Sequence, residues 1–229
     1  MLDTFKEYYR ETPFKQQKTE SMRYYFDNPY YSYSDAIFLY SMIRHAKPKK
    51  VIEMGSGYSS CVILDTNELY FKNDIKCTFI EPFPDRFLSL IKRSDMETIE
   101  LIKEEAQKVP IGMFQSLSEN DILFIDSTHI SKASSDVNYI FFDILPILHT
   151  GVYIHFHDIF YPFEYPKDWI LGGRSWNEAY IMRAFLQYNP SFKIVFCNTY
   201  LQHFFRDRFE KEYPLCLKNQ GGSIWLKKE

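Results

Sequence analysis

The sequence feature that most constrains the fold is the run of residues 50–60, which reads Lys-Val-Ile-Glu-Met-Gly-Ser-Gly-Tyr-Ser-Ser. A short apolar stretch is followed by a Gly-x-Gly turn, and the turn leads into a helix-like segment. Because glycine has no Cβ atom, a ligand can approach the backbone of such a turn closely, and the helix start adds free N–H groups. This strand–turn–helix unit is typical of an open α/β sheet that holds a nucleotide-like cofactor at its carboxyl edge.

The alternation of apolar strand and helix continues along the chain. Five strands that alternate with helices predict a parallel, doubly wound sheet with helices on both faces. The predicted strands cover residues 49–54, 76–81, 98–103, 121–126, 151–157, 192–197 and 223–227, and the predicted helices cover 36–45, 58–70, 84–92, 111–117, 134–148 and 176–188. Residues 198–222 lack a clear crossover helix on one face, so one of the last two strands is expected to run antiparallel at the sheet edge. The prediction is a Rossmann-like α/β sheet of about seven strands, mostly parallel.

Length and charge bound the domain organisation and the partners. A chain of 229 residues suits one domain. We predict a single unit in which residues 1–34 form an N-terminal aromatic and helical extension and residues 35–229 form the core. The formal net charge is −3 and no long basic run occurs, so nucleic acid is not expected as a partner.

The sequence carries no signal for a membrane or a secretory route. No apolar run approaches the roughly 18 residues of a membrane span, and the N-terminus lacks the apolar stretch of a signal peptide. The four cysteines form no Cys-x-x-Cys pair, and two of them lie in apolar strand-like runs, which indicates buried thiols in a reducing compartment. The prediction is a cytoplasmic protein that does not bind membranes.

Acidic and histidine residues follow two neighbouring predicted strands. Asp126 closes the fourth strand, and His157 and Asp158 close the fifth. Ligands bind beyond the carboxyl ends of parallel strands, so these three side chains are expected to converge there. Two carboxylates and one imidazole could hold a divalent cation, and Mg²⁺, Mn²⁺ or Ca²⁺ suit this oxygen-rich set.

The motif Glu53-x-Gly55-x-Gly57, the acidic residue that ends the second strand and the late strand pair together resemble class I S-adenosylmethionine-dependent methyltransferases. The resemblance covers about residues 35–229. Within that superfamily, residues 80–85 (Ile-Glu-Pro-Phe-Pro-Asp) are similar to the second-strand motif of the metal-assisted small-molecule O-methyltransferases, the group that contains the catechol and macrolide-sugar enzymes.

The same group keeps metal ligands at the two places where Asp126 and the pair His157-Asp158 stand, although its members usually carry an acid at the position of His157. The resemblance therefore implies methyl transfer from S-adenosylmethionine to a hydroxyl of a small molecule, with a divalent metal such as Mg²⁺ assisting. A sugar or a glycan precursor is the acceptor that this likeness implies.

The residues around the glycine turn agree with S-adenosylmethionine as the cofactor. Glu81 ends the second strand, where a carboxylate can accept two hydrogen bonds from a ribose diol. NAD uses the same geometry, but its pyrophosphate requires a third glycine, and that position is Ser60. S-adenosylmethionine has no pyrophosphate, and its carboxylate could bind the hydroxyls of Ser59 or Ser60 and the N–H groups of the helix start.

Further cofactor contacts are implied by the resemblance. The turn after the third strand would border the adenine, with the N–H of Ala106 and the side-chain amide of Gln107 as its contacts. Glu53 would either order the glycine turn or approach the amine of the methionine part. Both roles of Glu53 remain open at the level of sequence.

Two residues are predicted to carry the chemistry of methyl transfer. A bound cation stabilises an alkoxide as it forms, and Asp126 is expected at this centre. His129, three residues later, is the candidate general base, because a histidine needs only a modest pKa adjustment for that work. His155, inside the fifth strand, is expected to be a core or supporting histidine rather than a ligand.

The acceptor is expected to lie between two aromatic segments. Residues 159–177 form a long loop with Trp176 and with Arg174, which could bind a phosphate or carboxylate. The segment 30–33 would form the opposite wall, with Tyr33 against the acceptor. The insertion 199–220 would either close the site or make the contact of a homodimer, and the sequence leaves both roles open.

Two other functions compete with this interpretation. An NAD-dependent oxidoreductase on a Rossmann-like sheet would share the glycine turn but would not need the cluster of Asp126, His157 and Asp158. A catalytically inactive methyltransferase fold could also serve as a binding module. The apparently intact cofactor and metal residues favour the enzyme.

Overall fold

One seven-stranded sheet organises the chain in the computed structural model, which describes all 229 residues. The strands are β1 Lys50–Met54, β2 Lys76–Ile80, β3 Glu100–Ile102, β4 Ile122–Ile125, β5 Tyr153–His157, β6 Phe192–Cys197 and β7 Ser223–Lys228. Their order in the sheet is β3-β2-β1-β4-β5-β7-β6. The first five strands pair in parallel, and β7 pairs antiparallel with both β5 and β6. The predicted Rossmann-like fold is confirmed.

The antiparallel strand lies one position in from the sheet edge rather than at the edge itself. After β6 ends, the chain forms two short helices at the same end of the sheet and then re-enters it as β7. Because it does not cross back to the starting end, β7 must run against both of its neighbours. The two helices occupy much of residues 198–222, in which the sequence showed no clear crossover helix.

Helices flank the sheet on both faces. They are α1 Leu2–Arg10, α2 Ser34–Ala46, α3 Tyr58–Phe71, α4 Asp85–Leu90, α5 Ile111–Gln115, α6 Asp136–Tyr139, α7 Leu145–Ile147, α8 Lys167–Leu171, α9 Glu178–Leu186, α10 Asn198–Phe204 and α11 Arg206–Glu212. A π-helical turn, Ile140–Ile144, joins α6 to α7, and 3₁₀ turns cover Arg93–Glu97, Ala106–Lys108 and Pro214–Leu217. None of the helices combines the length and the apolar character that crossing a bilayer requires.

The alternation of side chains along the strands separates two hydrophobic cores. Val51 packs in the core that contains α2 and α3, whereas Ile52 and Met54 pack in the core that contains the π turn and α9. Successive strand residues face opposite sides of a sheet, so Glu53 faces the α2–α3 side together with Val51. Glu53 therefore lies on that face at the carboxyl end of β1.

The N-terminal extension is an integral part of the α2–α3 core. Six of its aromatic residues are buried in that core, and Arg23 is buried in an ion cluster with Asp65, at 2.7 Å, and Asp95, at 2.5 Å. Removing one partner of a buried ion pair leaves an uncompensated charge, so this cluster anchors the extension to α3. That the extension and the core form a single unit stays a prediction.

The segment 199–220 packs against α1 and α2 and, through Tyr200, against Tyr161 of the loop after β5. Lys6 contacts Glu212 at 2.7 Å, and the amide of Gln202 donates to Ser34 Oγ at 2.9 Å. The homodimer contact predicted for this segment stays a prediction. All four cysteines are buried free thiols, as expected.

Candidate functional site

The glycine turn after β1 is fixed by its neighbours. Gly55 donates its N–H to the carbonyl of Ile80 at 3.0 Å and has a φ of +84°. A Cβ atom at this position would lie 1.7 Å from the carbonyl oxygen of Asp126, so the fold itself requires glycine. Gly57 is different, because a Cβ there would meet only Arg86 Nε, at 3.7 Å. The fold tolerates a side chain at Gly57, and close approach of a ligand remains as the reason for that glycine.

Glu53 orders the helix start behind this turn. Ser60 Oγ donates to Glu53 Oε2, and the N–H of Gly57 donates to Ser60 Oγ at 2.9 Å. Burial raises the pKa of Glu53 to about 8, against the hydrogen bonds from Ser59 and Ser60, which lower it. The second oxygen, Oε1, is buried and has no hydrogen-bond partner. Glu53 thus performs the first of its two expected roles, and Oε1 remains free for the second.

The end of β2 places Glu81 beside the same turn. Its Oε2 accepts the N–H of Ser56 at 3.1 Å, and its Oε1 accepts the N–H of Phe83 at 2.8 Å. The carboxylate is half-buried, so its remaining lone pairs stay accessible to a ligand. This geometry suits a ribose diol.

The region also contains further buried polar atoms that the protein leaves without partners. These are Glu53 Oε1, Ser56 Oγ and Ser127 Oγ. Buried polar atoms are almost always hydrogen-bonded, so such a group marks the place of a polar ligand. The residues at this sheet edge therefore fit the methionine and ribose parts of S-adenosylmethionine.

The predicted adenine contacts lie in a 3₁₀ turn after β3. Ala106 is buried, and Gln107 Nε2 donates to the carbonyl of Ser134 at 3.1 Å. The amide of Gln107 is therefore already tied to the loop before α6, and its contact with adenine stays a prediction.

Replacing Glu53 with glutamine is expected to change the dependence of stability on pH. Between pH 4.5 and about 8 the unfolded chain loses the proton of Glu53 while the folded chain keeps it, so wild-type stability falls as pH rises. Glutamine does not titrate, and the free energy of unfolding of Glu53→Gln relative to wild type should rise by about 4 kcal/mol across this window. Urea unfolding of the ligand-free protein at pH 5 and pH 8.5 measures the change. Glu97→Gln, at an exposed position, is the control, and a difference that does not vary with pH would contradict the assignment.

A second group of side chains gathers at the ends of β4 and β5. The N–H of Asp126 extends the sheet by donating to the carbonyl of Met54 at 2.9 Å. His129 Nε2 lies 3.3 Å from Asp126 Oδ1 and 3.8 Å from Asp158 Oδ2. One ligand atom from each of the three residues lies within 4.8 Å of the others. Two carboxylates and an imidazole at these distances fit a divalent cation.

Two members of this cluster hold unusual backbone conformations. His129 has a φ of +59° and Asp158 a φ of +56°, both in the left-handed region that non-glycine residues rarely adopt. Such conformations cost of order 1 kcal/mol each and persist where surrounding contacts impose them. Two of the ten non-glycine residues with positive φ thus belong to this cluster.

Glu178, at the start of α9, was not found by sequence reasoning. Its Oε2 lies 2.8 Å from His129 Nδ1, and both side chains are buried. A carboxylate can only accept, so Nδ1 carries a proton, and Nε2 is directed at the two aspartates. The carbonyl of His129 also accepts the N–H groups of Asn177, at 3.0 Å, and Glu178, at 3.2 Å.

The predicted metal set requires a correction. His129, not His157, completes the cluster with Asp126 and Asp158. His157 is the last residue of β5 and faces the α2–α3 side of the sheet, where its ring lies 5.0 Å from that of Tyr31. The chain turns after His157, so Asp158 lies over the sheet edge and His157 does not. The Nε2 atom of His157 lies 3.6 Å from Asp158 Oδ1.

His129, the predicted general base, has a carboxylate beside each ring nitrogen, and its role in proton transfer stays a prediction. Burial lowers the pKa of His129, but the hydrogen bonds with Asp126 and Glu178 outweigh it and raise the pKa to about 10. In the ligand-free protein this imidazole is protonated at neutral pH, so a cation that binds Nε2 would have to displace the proton there. The contacts of both ring nitrogens fit a ligand better than a base.

His155 behaves as expected of a core histidine. Its ring stacks on Phe124 with centroids 4.0 Å apart, and both ring nitrogens are buried without a partner. Burial lowers its pKa well below the usual value, so it is neutral.

The long loop after β5 reaches the cluster, as predicted. The guanidinium of Arg174 lies 4.0 Å from the ring of Trp169 and 4.8 Å from that of Trp176. Trp176 in turn packs 4.3 Å from the ring of His129. Arg174 is exposed, and its guanidinium makes no hydrogen bond or ion pair within the protein. An aromatic wall with one free cation therefore borders the candidate metal position.

Tyr33 does not reach this site, which corrects its predicted contact with the acceptor. Its hydroxyl donates to Asp27 Oδ1 at 2.8 Å, and its ring stacks on Phe26 with centroids 4.9 Å apart. The residue closes the turn before α2 with a φ of +35°. Tyr31, two residues earlier, is the tyrosine that approaches the carboxyl edge of the sheet.

Comparison with known proteins gives one family match. Residues 52–159 match a family model described as a methyltransferase domain. An uncharacterised protein of Archaeoglobus fulgidus is 33% identical over 116 residues, which cover 50% of this chain and 50% of that protein. The matched region thus spans about half the length of this curated relative.

Solved structures resemble the whole chain. The O-methyltransferase TomG from Streptomyces achromogenes, involved in tomaymycin synthesis and solved with S-adenosylmethionine, matches with a TM-score of 0.55 and 15% identity over 99% of this chain and 88% of that one. The Podospora anserina methyltransferase PaMTH1, bound to S-adenosylhomocysteine, matches with a TM-score of 0.53 and 13% identity over 100% of this chain and 87% of that one. At these identities the likeness concerns the fold.

Proposed function

We propose that this chain transfers a methyl group from S-adenosylmethionine to a hydroxyl of a small molecule. Residues 52–159 match a methyltransferase domain, and the fold resembles that of an O-methyltransferase solved with S-adenosylmethionine. The observation that carries the proposal is the meeting of two sites at one sheet edge. The glycine turn with Glu81 lies at the ends of β1 and β2, and the cluster of Asp126, His129 and Asp158 lies at the ends of β4 and β5. Because β1 and β4 are neighbours, donor and acceptor would meet between them.

The donor side binds and orients the cofactor. Glu81 would accept the hydrogen bonds of the ribose diol, and the turn at Gly55 and Gly57 would let the methionine part lie against the backbone. Ser60 and Glu53 hold the helix start in place behind the turn. When bound, S-adenosylmethionine supplies an electrophilic methyl group, so the remaining task of the protein is alignment.

The acceptor side would hold a divalent cation, for which Mg²⁺, Mn²⁺ and Ca²⁺ are the candidates. Asp126, His129 and Asp158 would be its ligands, and Glu178 keeps Nε2 of His129 directed at that position. A cation there would stabilise the negative charge that develops on the acceptor oxygen. The side chain of Asp126 is 32% exposed, against 16% for Asp158 and 5% for His129, so we assign its carboxylate as the acceptor of the hydroxyl proton.

The acceptor itself would carry a hydroxyl and an anionic group, as a sugar or glycan precursor does. Trp176 forms a wall next to His129, and Arg174 offers unpaired guanidinium donors beside it. A guanidinium matches the geometry of a phosphate or a carboxylate. Neither an NAD-dependent oxidoreductase nor a binding module would need the cluster of Asp126, His129 and Asp158.

Titration calorimetry with S-adenosylmethionine, S-adenosylhomocysteine and NAD tests the donor assignment. We expect saturable 1:1 binding of the first two ligands and none of NAD, because Ser60 stands where a pyrophosphate would need glycine. Gly57→Ala provides a matched variant, since a Cβ there meets no backbone atom within 4 Å outside its chain neighbours and should weaken the ligands without unfolding the protein. Binding of NAD together with no binding of the other two would refute the proposal.

A further inference from the structure

Tyr31 is held rigidly, yet its hydroxyl is unused by the protein. Its N–H donates to Asn28 Oδ1 at 2.8 Å, and its carbonyl accepts from Tyr24 Oη at 2.8 Å and Asn28 Nδ2 at 3.0 Å. The side chain is only 2% exposed, and its hydroxyl has no hydrogen-bond partner. A buried hydroxyl without a partner lowers the stability of a protein, so its retention in a rigid position indicates a ligand.

The ring of Tyr31 lies on the same sheet face as Glu53. It packs 5.9 Å from Phe124 of β4 and 5.0 Å from His157 at the end of β5, measured between ring centroids. Phe124 belongs to the same core as Val51. Glu53 faces this side of the sheet as well, because it lies between Ile52 and Met54, which pack in the other core. Glu53 Oε1 is likewise buried and without a partner. Two orphaned oxygen atoms therefore lie on one face at the carboxyl edge of the sheet.

The surroundings of the Tyr31 hydroxyl are strongly negative. Burial and the carboxylates of Asp35, Asp126 and Glu53 together raise the pKa of Tyr31 well above its usual value. The phenol is therefore neutral, and the acidic side chains on this side, Asp35, Asp126 and Glu53, outnumber the one facing imidazole, His157, which favours a positively charged ligand group. The proposed donor carries two such groups, the ammonium of its methionine part and its sulfonium.

We propose that Tyr31 is a positioning residue of the donor site, whose phenolic oxygen accepts one hydrogen bond from the ammonium of the methionine part while Glu53 Oε1 accepts another. An ammonium has three N–H donors; a neutral phenol is a suitable acceptor for one of them, and Glu53 becomes a suitable acceptor for a second when it releases its proton on ligand binding. This assignment rests on the proposed function. With this assignment, the N-terminal extension is part of the cofactor site as well as of the hydrophobic core. The residues involved are Tyr30 and Tyr31, whose N–H groups donate to Asn28 Oδ1.

Three ligands separate the ammonium from the sulfonium. S-adenosylmethionine carries both charges, S-adenosylhomocysteine carries only the ammonium, and 5′-methylthioadenosine carries neither. In Tyr31→Phe the ring is kept and only the hydroxyl is lost. We expect the dissociation constants of the first two ligands to rise by about tenfold or more, to the same extent, and that of 5′-methylthioadenosine to stay within about twofold, as measured by calorimetry.

The thermal stability of the ligand-free protein gives a second readout. The Tm of Tyr31→Phe should equal or exceed that of wild type, because an unsatisfied buried hydroxyl is removed. Tyr33→Phe is the matched control from the same segment. It loses the hydrogen bond to Asp27, so its Tm should not rise, and its ligand affinities should stay unchanged.

Each other outcome would overturn the inference. Unchanged affinity of Tyr31→Phe for S-adenosylhomocysteine would remove the ammonium contact, and a loss confined to S-adenosylmethionine would place the hydroxyl at the sulfonium instead. Equal weakening of all three ligands with a lower Tm would reduce Tyr31 to a structural residue. If wild type binds 5′-methylthioadenosine but neither of the other two, the proposed function fails with it, whereas wild-type binding without a Tyr31→Phe effect removes only this inference.

Discussion

Replacing Asp126 with asparagine is expected to lower kcat for methyl transfer by about 10³-fold. The change removes one negative charge from the cluster with His129 and Asp158 and removes the carboxylate that we assign as proton acceptor. Stabilisation of a developing alkoxide by a bound cation is worth several kcal/mol, and each 1.4 kcal/mol, roughly, changes a rate tenfold. The side chain of Asp126 is 32% exposed and its neighbour in the cluster is the ring of His129, so asparagine should leave the fold intact.

The measurement pairs this variant with removal of the metal. Wild-type turnover of S-adenosylmethionine should be lost after treatment with EDTA and restored by Mg²⁺, whereas the residual turnover of Asp126→Asn should respond to neither. Asp168→Asn, at an exposed position in α8, is the control and should match wild type. Wild-type activity that survives EDTA would remove the cation from the mechanism, and full activity of Asp126→Asn would remove the residue.

Local patterns were sufficient to predict the sheet and the position of Glu81 beside the glycine turn. Each central strand is a short apolar run bounded by polar or turn residues, so its position and its carboxyl end follow from the sequence. Once those ends are known, the neighbourhood of the glycine turn, Glu81 and Asp126 follows from the parallel order of the strands. Residues 52–159, which contain these motifs, match a family model described as a methyltransferase domain.

The acceptor half depended on loop conformations and long-range contacts that no local pattern encodes. The exchange of His157 for His129 in the cluster follows from a left-handed turn at Asp158 and another at His129, which the strand pattern does not reveal. Glu178 looks like an ordinary acid in the first turn of a helix, and only the folding of α9 against the loop at His129 gives it a role. Similarly, period-two reasoning cannot tell which of the aromatic residues in 30–33 turns inward, because that segment is not a strand.

Gly55→Ala is expected to be the most destabilising single change at the donor site. Alanine at a φ of +84° is strained, and its Cβ would lie 1.7 Å from the carbonyl oxygen of Asp126. The ends of β1 and β4 would have to separate, which breaks the hydrogen bond from Asp126 N–H to Met54. Strain and lost packing together should cost about 3–5 kcal/mol, a large part of the stability of a typical domain.

Two other glycines make this prediction specific to geometry. A Cβ on Gly57 meets only Arg86 Nε, and a Cβ on Gly112 meets nothing within 4 Å, so both alanine variants should unfold in urea within about 1 kcal/mol of wild type. Gly57→Ala should instead weaken binding of S-adenosylhomocysteine, because the ligand and not the fold occupies the space beside it. The two glycines of the Gly-x-Gly turn would then have different roles: Gly55 is required by the fold, and Gly57 is required by the ligand. If Gly55→Ala were as stable as wild type, the close approach of β1 and β4 would be contradicted, and so would the position of Asp126 beside the glycine turn.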